Sequence, residues 1–295
     1  MTASIVIADA QARAEIRPDL GAGLLRYDLA DGTPLFRPAP ADTTDPFALA
    51  NILLVPWSNR IGAGGFAFGG EHYALPRNRD GEACPIHGSG FQQVWQVATA
   101  SATRVDLELE CNKPAPFRYT ARVTYALQDG ALTIVLSVVN AAAEALPYGL
   151  GLHPWLPRTP HSTLLLPATG VWLEDAEHLP TGHVAIAAHP DWNFSTALAL
   201  PTAWINNAFS GWTHHAVLTW PERRLALAID AGASLDTCIV FSPDGSSDFV
   251  CIEPVTHPPN AHNLPGGPEA NGLVPLLTDE ELAVECTFRP LLLAG

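Results

Sequence analysis

Punctuation constrains this chain more than any motif does. Twenty-seven prolines and 23 glycines fall at short intervals along 295 residues, and few windows between them hold an apolar stripe of helical period for the ten or more residues a helix needs. Strand signals fill the gaps. Val105 to Glu110 (VDLELE) alternates apolar and polar, and Leu225 to Asp230 (LALAID) alternates large and small. Tyr119 to Leu127 joins Ala131 to Val139 through Gln-Asp-Gly, a hairpin signature. Cys238 to Phe241 runs through Ser-Pro-Asp-Gly into Phe249 to Ile252, and Leu282 to Phe288 closes the series. Many short strands with Gly, Pro and Asp turns predict an all-β chain of packed antiparallel sheets with little helix. No charged or Ser/Gly linker and no fixed-period repeat divides the sequence, so residues 1–295 are expected to form one β-sandwich domain.

Composition narrows the partners. Thirty acidic against 15 basic residues give a formal net charge of −15, which repels nucleic acid and anionic membrane surfaces. No segment approaches the roughly 20 apolar residues of a membrane-spanning helix, and the N-terminus has no basic start followed by an unbroken apolar run. Five cysteines, Cys84, Cys111, Cys238, Cys251 and Cys286, are odd in number and include no C-x-x-C pair, which fits a reducing cytoplasm. The expected state is a cytoplasmic monomer or homodimer without nucleic-acid or membrane partners.

Three polar-rich segments attached to strands carry the candidate chemistry. Val55 to Gly90 offers Asn59, Arg60, Asn78, Arg79 and His87 among glycines that permit close backbone approach. Gly149 to Arg158 (GLGLHPWLPR) sets His153 in an apolar run, either as a packed imidazole or as a proton donor at a pocket wall. Phe249 to Pro265 places Glu253 at the end of an apolar strand. There it is partly desolvated and suited to general-base work, or else salt-bridged or facing water. His87, before Gly-Ser-Gly, reads as a turn histidine in solvent or as a side chain beside exposed amides. Arg60 is either paired with a carboxylate or offered to ligand oxygens. No G-x-S-x-G elbow, P-loop or dinucleotide fingerprint occurs. His257 and His262 would need His87 and His153 to gather a metal, and no zinc-enzyme spacing supports that.

Taken in order, these segments resemble the aldose 1-epimerase (galactose mutarotase) family across most of the chain. Pro56-Trp57-Ser58-Asn59-Arg60-Ile61 matches its P-x-S-N-R-I element, Asn78 and His87-Gly88 its N…HG segment, His153-Pro154-Trp155 its His-Pro-aromatic element, and Glu253-Pro254 its E-P segment. The resemblance implies a galactose mutarotase-like β-supersandwich and cofactor-free, metal-free interconversion of the α and β anomers of a free sugar. It implies Glu253 as the base at the anomeric hydroxyl and His153 as the acid at the ring oxygen. It further implies Arg60 and His87 as sugar ligands, joined by Asn59, Asn78 and Asn206. Trp57, Trp155 and Trp212 are candidates to stack on the sugar's apolar face. The family's D-x-x-F element reads Asn206-Asn207-Ala208-Phe209 here, so a carbonyl and an amide donor replace a carboxylate. Two other functions fit the same segments: a hexose-phosphate epimerase using Arg60, Arg77, Arg79 and Arg158 as an anion pocket, and a sugar-binding module without turnover.

Overall fold

The computed structural model describes residues 4–293; the leader reading of the N-terminus begins in residues 1–3, outside that range. Two large antiparallel sheets dominate. The ten-stranded sheet runs in the order Ile5–Ala8, Ala12–Arg17, Gly23–Leu29, Asn51–Leu54, Gly151–Pro157, Phe249–Val255, Thr237–Ser242, Ile205–Ser210, Gly170–Glu174, Pro180–Ala185. The nine-stranded sheet carries the hairpin read from the sequence, Tyr119–Gln128 with Ala131–Asn140. Its turn residues Asp129 and Gly130 both have positive φ, 51° and 78°, as the tight twist-matched hairpin turn requires. The one α-helix among the described residues is the four-residue Gly267–Ala270.

Alternation along the central strands sorts side chains into two clusters. In Gly151–Pro157, Leu152 and Leu156 join the main core between the sheets. Trp155 points the other way into a smaller cluster with Ile52, Leu54, Ile239, Cys251 and Val255. In Phe249–Val255 the same alternation sends Val250 and Ile252 to the core. These strands are buried on both faces, so they read as continuous apolar runs rather than as simple alternation. The smaller cluster marks the outer face of the ten-stranded sheet, and His153 and Glu253 belong to that face by the same period of two.

The segment from Val55 to Gly90 is folded over this face by a short reciprocal clamp. Isolated bridges tie Val55 to Gly88 and Arg60 to Ile86. The Asn59 carbonyl accepts from the His87 N–H at 3.0 Å. Gly88 is required here: it holds φ +67°, and a Cβ would lie 2.2 Å from the Val55 carbonyl oxygen. Gly88→Ala combines backbone strain with a backbone clash. It is expected to cost about 2–4 kcal/mol, on the scale of severe single substitutions, read as a lowered urea midpoint at unchanged m-value.

Candidate active site

Strand register assembles the centre from residues a hundred positions apart. Gly151 pairs with Val255 and Trp155 with Cys251, so His153 stands directly opposite Glu253 on the same face, at cross-strand contact distance. Between those two pairs Pro154 and Pro254 contribute no N–H to the ladder. Nε2 of His153 lies 3.3 Å from Oε1 of Glu253, and both side chains are buried. The strand Phe249–Val255 continues two residues beyond Glu253. The carboxylate is therefore not at the strand end, as its sequence context suggested, but inside the sheet and more deeply desolvated.

Burial sets the proton inventory of this pair. Loss of solvent holds the His153 imidazole down at about 3 and pushes the Glu253 carboxyl well above its ordinary range, against the weaker opposing pull of Arg60. Each group is driven toward its neutral form, a carboxyl beside an uncharged imidazole. Oε2 of Glu253 is buried and has no protein partner among the described residues. The His153 ring stacks on Trp155, centroids 4.0 Å apart and 22° between planes, which fixes its orientation.

Above the pair opens a cavity of about 360 Å³, lined among others by Phe47, Arg60, His87, His153, Trp155, Trp204, Asn206, Phe241 and Glu253. That volume is near the low end for small-molecule sites and suits one small polyol. His87 is buried, not a solvent turn residue. Its Nδ1 accepts from the Asn59 N–H at 3.0 Å, so the neutral ring keeps its proton on Nε2 as a donor. Burial, then the neighbouring His153, holds His87 well below the usual imidazole range and thus neutral. Arg60 answers to both of its sequence readings: it forms a fork on Glu82, at 2.9 and 3.2 Å, and it lines the cavity.

The asparagines divide. Asn206 reaches the cavity, with Nδ2 donating to Glu174 at 2.8 Å. Asn59 lines the cavity, while its Oδ1 accepts from the Arg60 N–H at 2.8 Å. Asn78 does not line the cavity. Its amide is spent on backbone, donating to the carbonyls of Ile86 and Gly88 and accepting from the Ile86 N–H, so it braces the clamp that carries His87. Of the three tryptophans expected to stack on a sugar, Trp155 lines the cavity, buried with its ring stacked on His153. Trp57 is core and donates to the Asn59 carbonyl, and Trp212 donates to the Leu235 carbonyl. Trp204, 44% exposed, lines the cavity instead. Phe47, Glu82, His178 and Phe241 also escaped the sequence reading; only the Asp45-Pro46 turn that presents Phe47 left a local signal.

The four-histidine metal arrangement does not form. His257 accepts from the Ser58 N–H at Nε2 and donates to the Pro258 carbonyl, and His262 faces the Pro147 carbonyl. The described residues do place His153, Cys251 and Glu253 within 4.8 Å of one another. Burial above all pushes the Cys251 thiol well up, which keeps it protonated. All five cysteines are free and buried, and no helix among the described residues is long and apolar enough to cross a membrane.

A buried His–Glu pair thus lies under a small cavity of mixed polar and apolar lining on the outer face of the ten-stranded sheet. The chain belongs to the aldose 1-epimerase family, whose model matches residues 4–289, and it has the galactose mutarotase-like fold. It is 31% identical over 275 residues to the uncharacterized protein YphB of Escherichia coli K12, covering 90% of this chain and 92% of that one. A crystal structure from Escherichia coli K12 superimposes with a TM-score of 0.92 at 27% identity, each chain covered to 99%. A galactose mutarotase-like protein from Clostridium acetobutylicum follows at 0.88 and 19% identity, with 98% of this chain and 95% of that one covered, a likeness of fold.

Proposed function

We propose that this chain is an aldose 1-epimerase that interconverts the α and β anomers of a neutral free sugar by opening and reclosing the ring. The observation that carries the reading is the His153–Glu253 contact of 3.3 Å at the cavity floor. Ring opening removes a proton from O1 and delivers one to O5, and both oxygens are bonded to C1. Base and acid must therefore sit within a few ångströms of each other.

In the reactive tautomer Glu253 is a carboxylate and His153 an imidazolium. Glu253 takes the O1 proton, the O1–C1 bond becomes a carbonyl, the C1–O5 bond breaks, and Nε2 of His153 protonates O5. The pair is left as carboxyl and neutral imidazole, the form burial favours. Rotation about C1–C2 and the reverse proton transfers close the ring on either face and restore the starting state. No proton need come from water, and the count on the pair is conserved. His87 Nε2–H and the Arg60 guanidinium supply donors that hold hydroxyls in register with the pair.

Charge pairing favours a neutral substrate over a phosphorylated one. Arg60 is neutralised by Glu82, and Arg79 by Asp45 at 2.9 Å. Arg158, hydrogen-bonded to Ser242 Oγ and the Pro201 carbonyl, does not line the cavity, and neither does Arg77. The test is polarimetry of freshly dissolved hexoses and pentoses beside hexose 6-phosphates. Accelerated relaxation of at least one neutral sugar, with phosphates slower, supports the proposal. Acceleration confined to the phosphates would replace it with the phosphate-epimerase reading, and binding without acceleration would replace it with a sugar-binding module.

A further inference from the structure

The register that pairs Gly170 with Ser210 and Val171 with Phe209 brings Glu174 opposite Asn206, at the far end of a row that runs through Phe241 and Cys251 to Trp155. Glu174 does not line the cavity, yet its carboxylate receives three side chains that do. Oε2 accepts from Asn206 Nδ2 at 2.8 Å and faces His178 Nδ1 at 3.1 Å, and Oε1 accepts from the Trp204 indole N–H at 2.8 Å. His178 lies stacked on Trp204, with centroids 5.2 Å apart and 22° between planes. A carboxylate only accepts, so it fixes which way the Asn206 amide faces: Nδ2 toward Glu174, Oδ1 left over. The cavity lining thus offers donors, His87 and Arg60, and also an acceptor, Asn206 Oδ1, beside an aromatic plate.

We propose that Glu174 is a positioning residue for a sugar-specificity wall, in which Asn206 Oδ1 accepts a hydrogen bond from a substrate hydroxyl while the Trp204–His178 stack covers an apolar face of the same ring. This rests on the epimerase reading for its substrate class, but its geometry concerns binding and is separable from turnover. The wall selects ligands with a hydroxyl donor at that position and discriminates against analogues that lack it, because a site built to accept a hydrogen bond loses it without replacement.

The experiment exchanges the partners. In Glu174→Gln the opposing amide can donate as well as accept, so Asn206 loses its enforced orientation. KM is expected to rise about tenfold, the scale of one hydrogen bond, with kcat within about threefold of wild type. Asn206→Asp sets two carboxylates against each other and is expected to raise KM at least as much. The double variant Glu174→Gln/Asn206→Asp restores a donor facing an acceptor-only group, and its KM should return to within about threefold of wild type. Across a set of monodeoxy sugars, the analogue missing the recognised hydroxyl should bind wild type and Glu174→Gln alike.

Unchanged KM in both single variants, or a double variant no better than either single, overturns the proposal. So does equal loss from Glu174→Gln for every deoxy analogue, which is the pattern of a merely structural role. Calorimetric Kd values repeat the test independently of catalysis: the same order of variants in a protein without turnover would uphold the wall and remove the epimerase reading. A wild type that binds no sugar would overturn both.

Discussion

Glu253→Gln is expected to lower kcat/KM for anomer interconversion by about 10³-fold, and His153→Asn by about 10²- to 10⁴-fold, the range for loss of a positioned general base or acid. Glutamine copies the shape of the neutral carboxyl that burial favours at 253, so the fold should survive and sugar binding should stay within a few fold. The two losses should not add, since each removes half of one proton exchange. More than a tenth of wild-type activity in either variant, with an unshifted urea midpoint, would contradict the assignment.

The second large effect is on stability below neutral pH. Burial lowers His87 well below 6.5, His153 and His262 to about 3, and His257 to about 4. A histidine depressed in the folded state contributes stability that is present above its unfolded value of 6.5 and lost as pH falls toward its folded value. Glu253 acts oppositely: its raised value contributes stability that is full below 4.5 and lost as pH rises through its folded pKa. Between about pH 6 and 5, unfolding therefore takes up protons on the imidazoles and releases one from Glu253, and because the depressed histidines outnumber the one raised carboxyl, stability falls as pH falls. Urea midpoints should fall steeply over that interval, and a midpoint flat from pH 7 to 5 would refute the assignment of neutral buried histidines. On the acid side the kcat/KM profile should lack the ordinary imidazole limb, because burial lowers His153 to about 3.

The sequence made the strands and the long hairpin legible, because alternation and Asp-Gly turns are local properties. Four candidate-site residues were legible for a different reason: Arg60, His87, His153 and Glu253 sit in segments whose order resembles a known family. Their arrangement was not legible. That His153 faces Glu253 follows from register between strands that begin at 151 and 249, and no local pattern encodes register across such a separation. Asn78 misled because an asparagine that braces backbone carbonyls looks, in sequence, like one offered to a ligand. Glu174 and His178 were hidden for the converse reason: Glu-Asp-Ala-Glu-His reads as a solvated acidic turn. Only the pairing of Gly170–Glu174 with Ile205–Ser210 turns it into the back of the cavity wall.

The central claim is that His153 and Glu253 pass protons through a bound sugar. Exchange NMR of a neutral aldose at anomeric equilibrium tests it most directly, since it reads the α-to-β rate without any coupled reaction. Cross-peaks between the anomeric signals that grow with wild-type protein, and vanish to the buffer rate in Glu253→Gln at matched folded concentration, are the predicted result. Cross-peaks that persist in Glu253→Gln, or no acceleration by the wild type for any neutral sugar it binds, would contradict it.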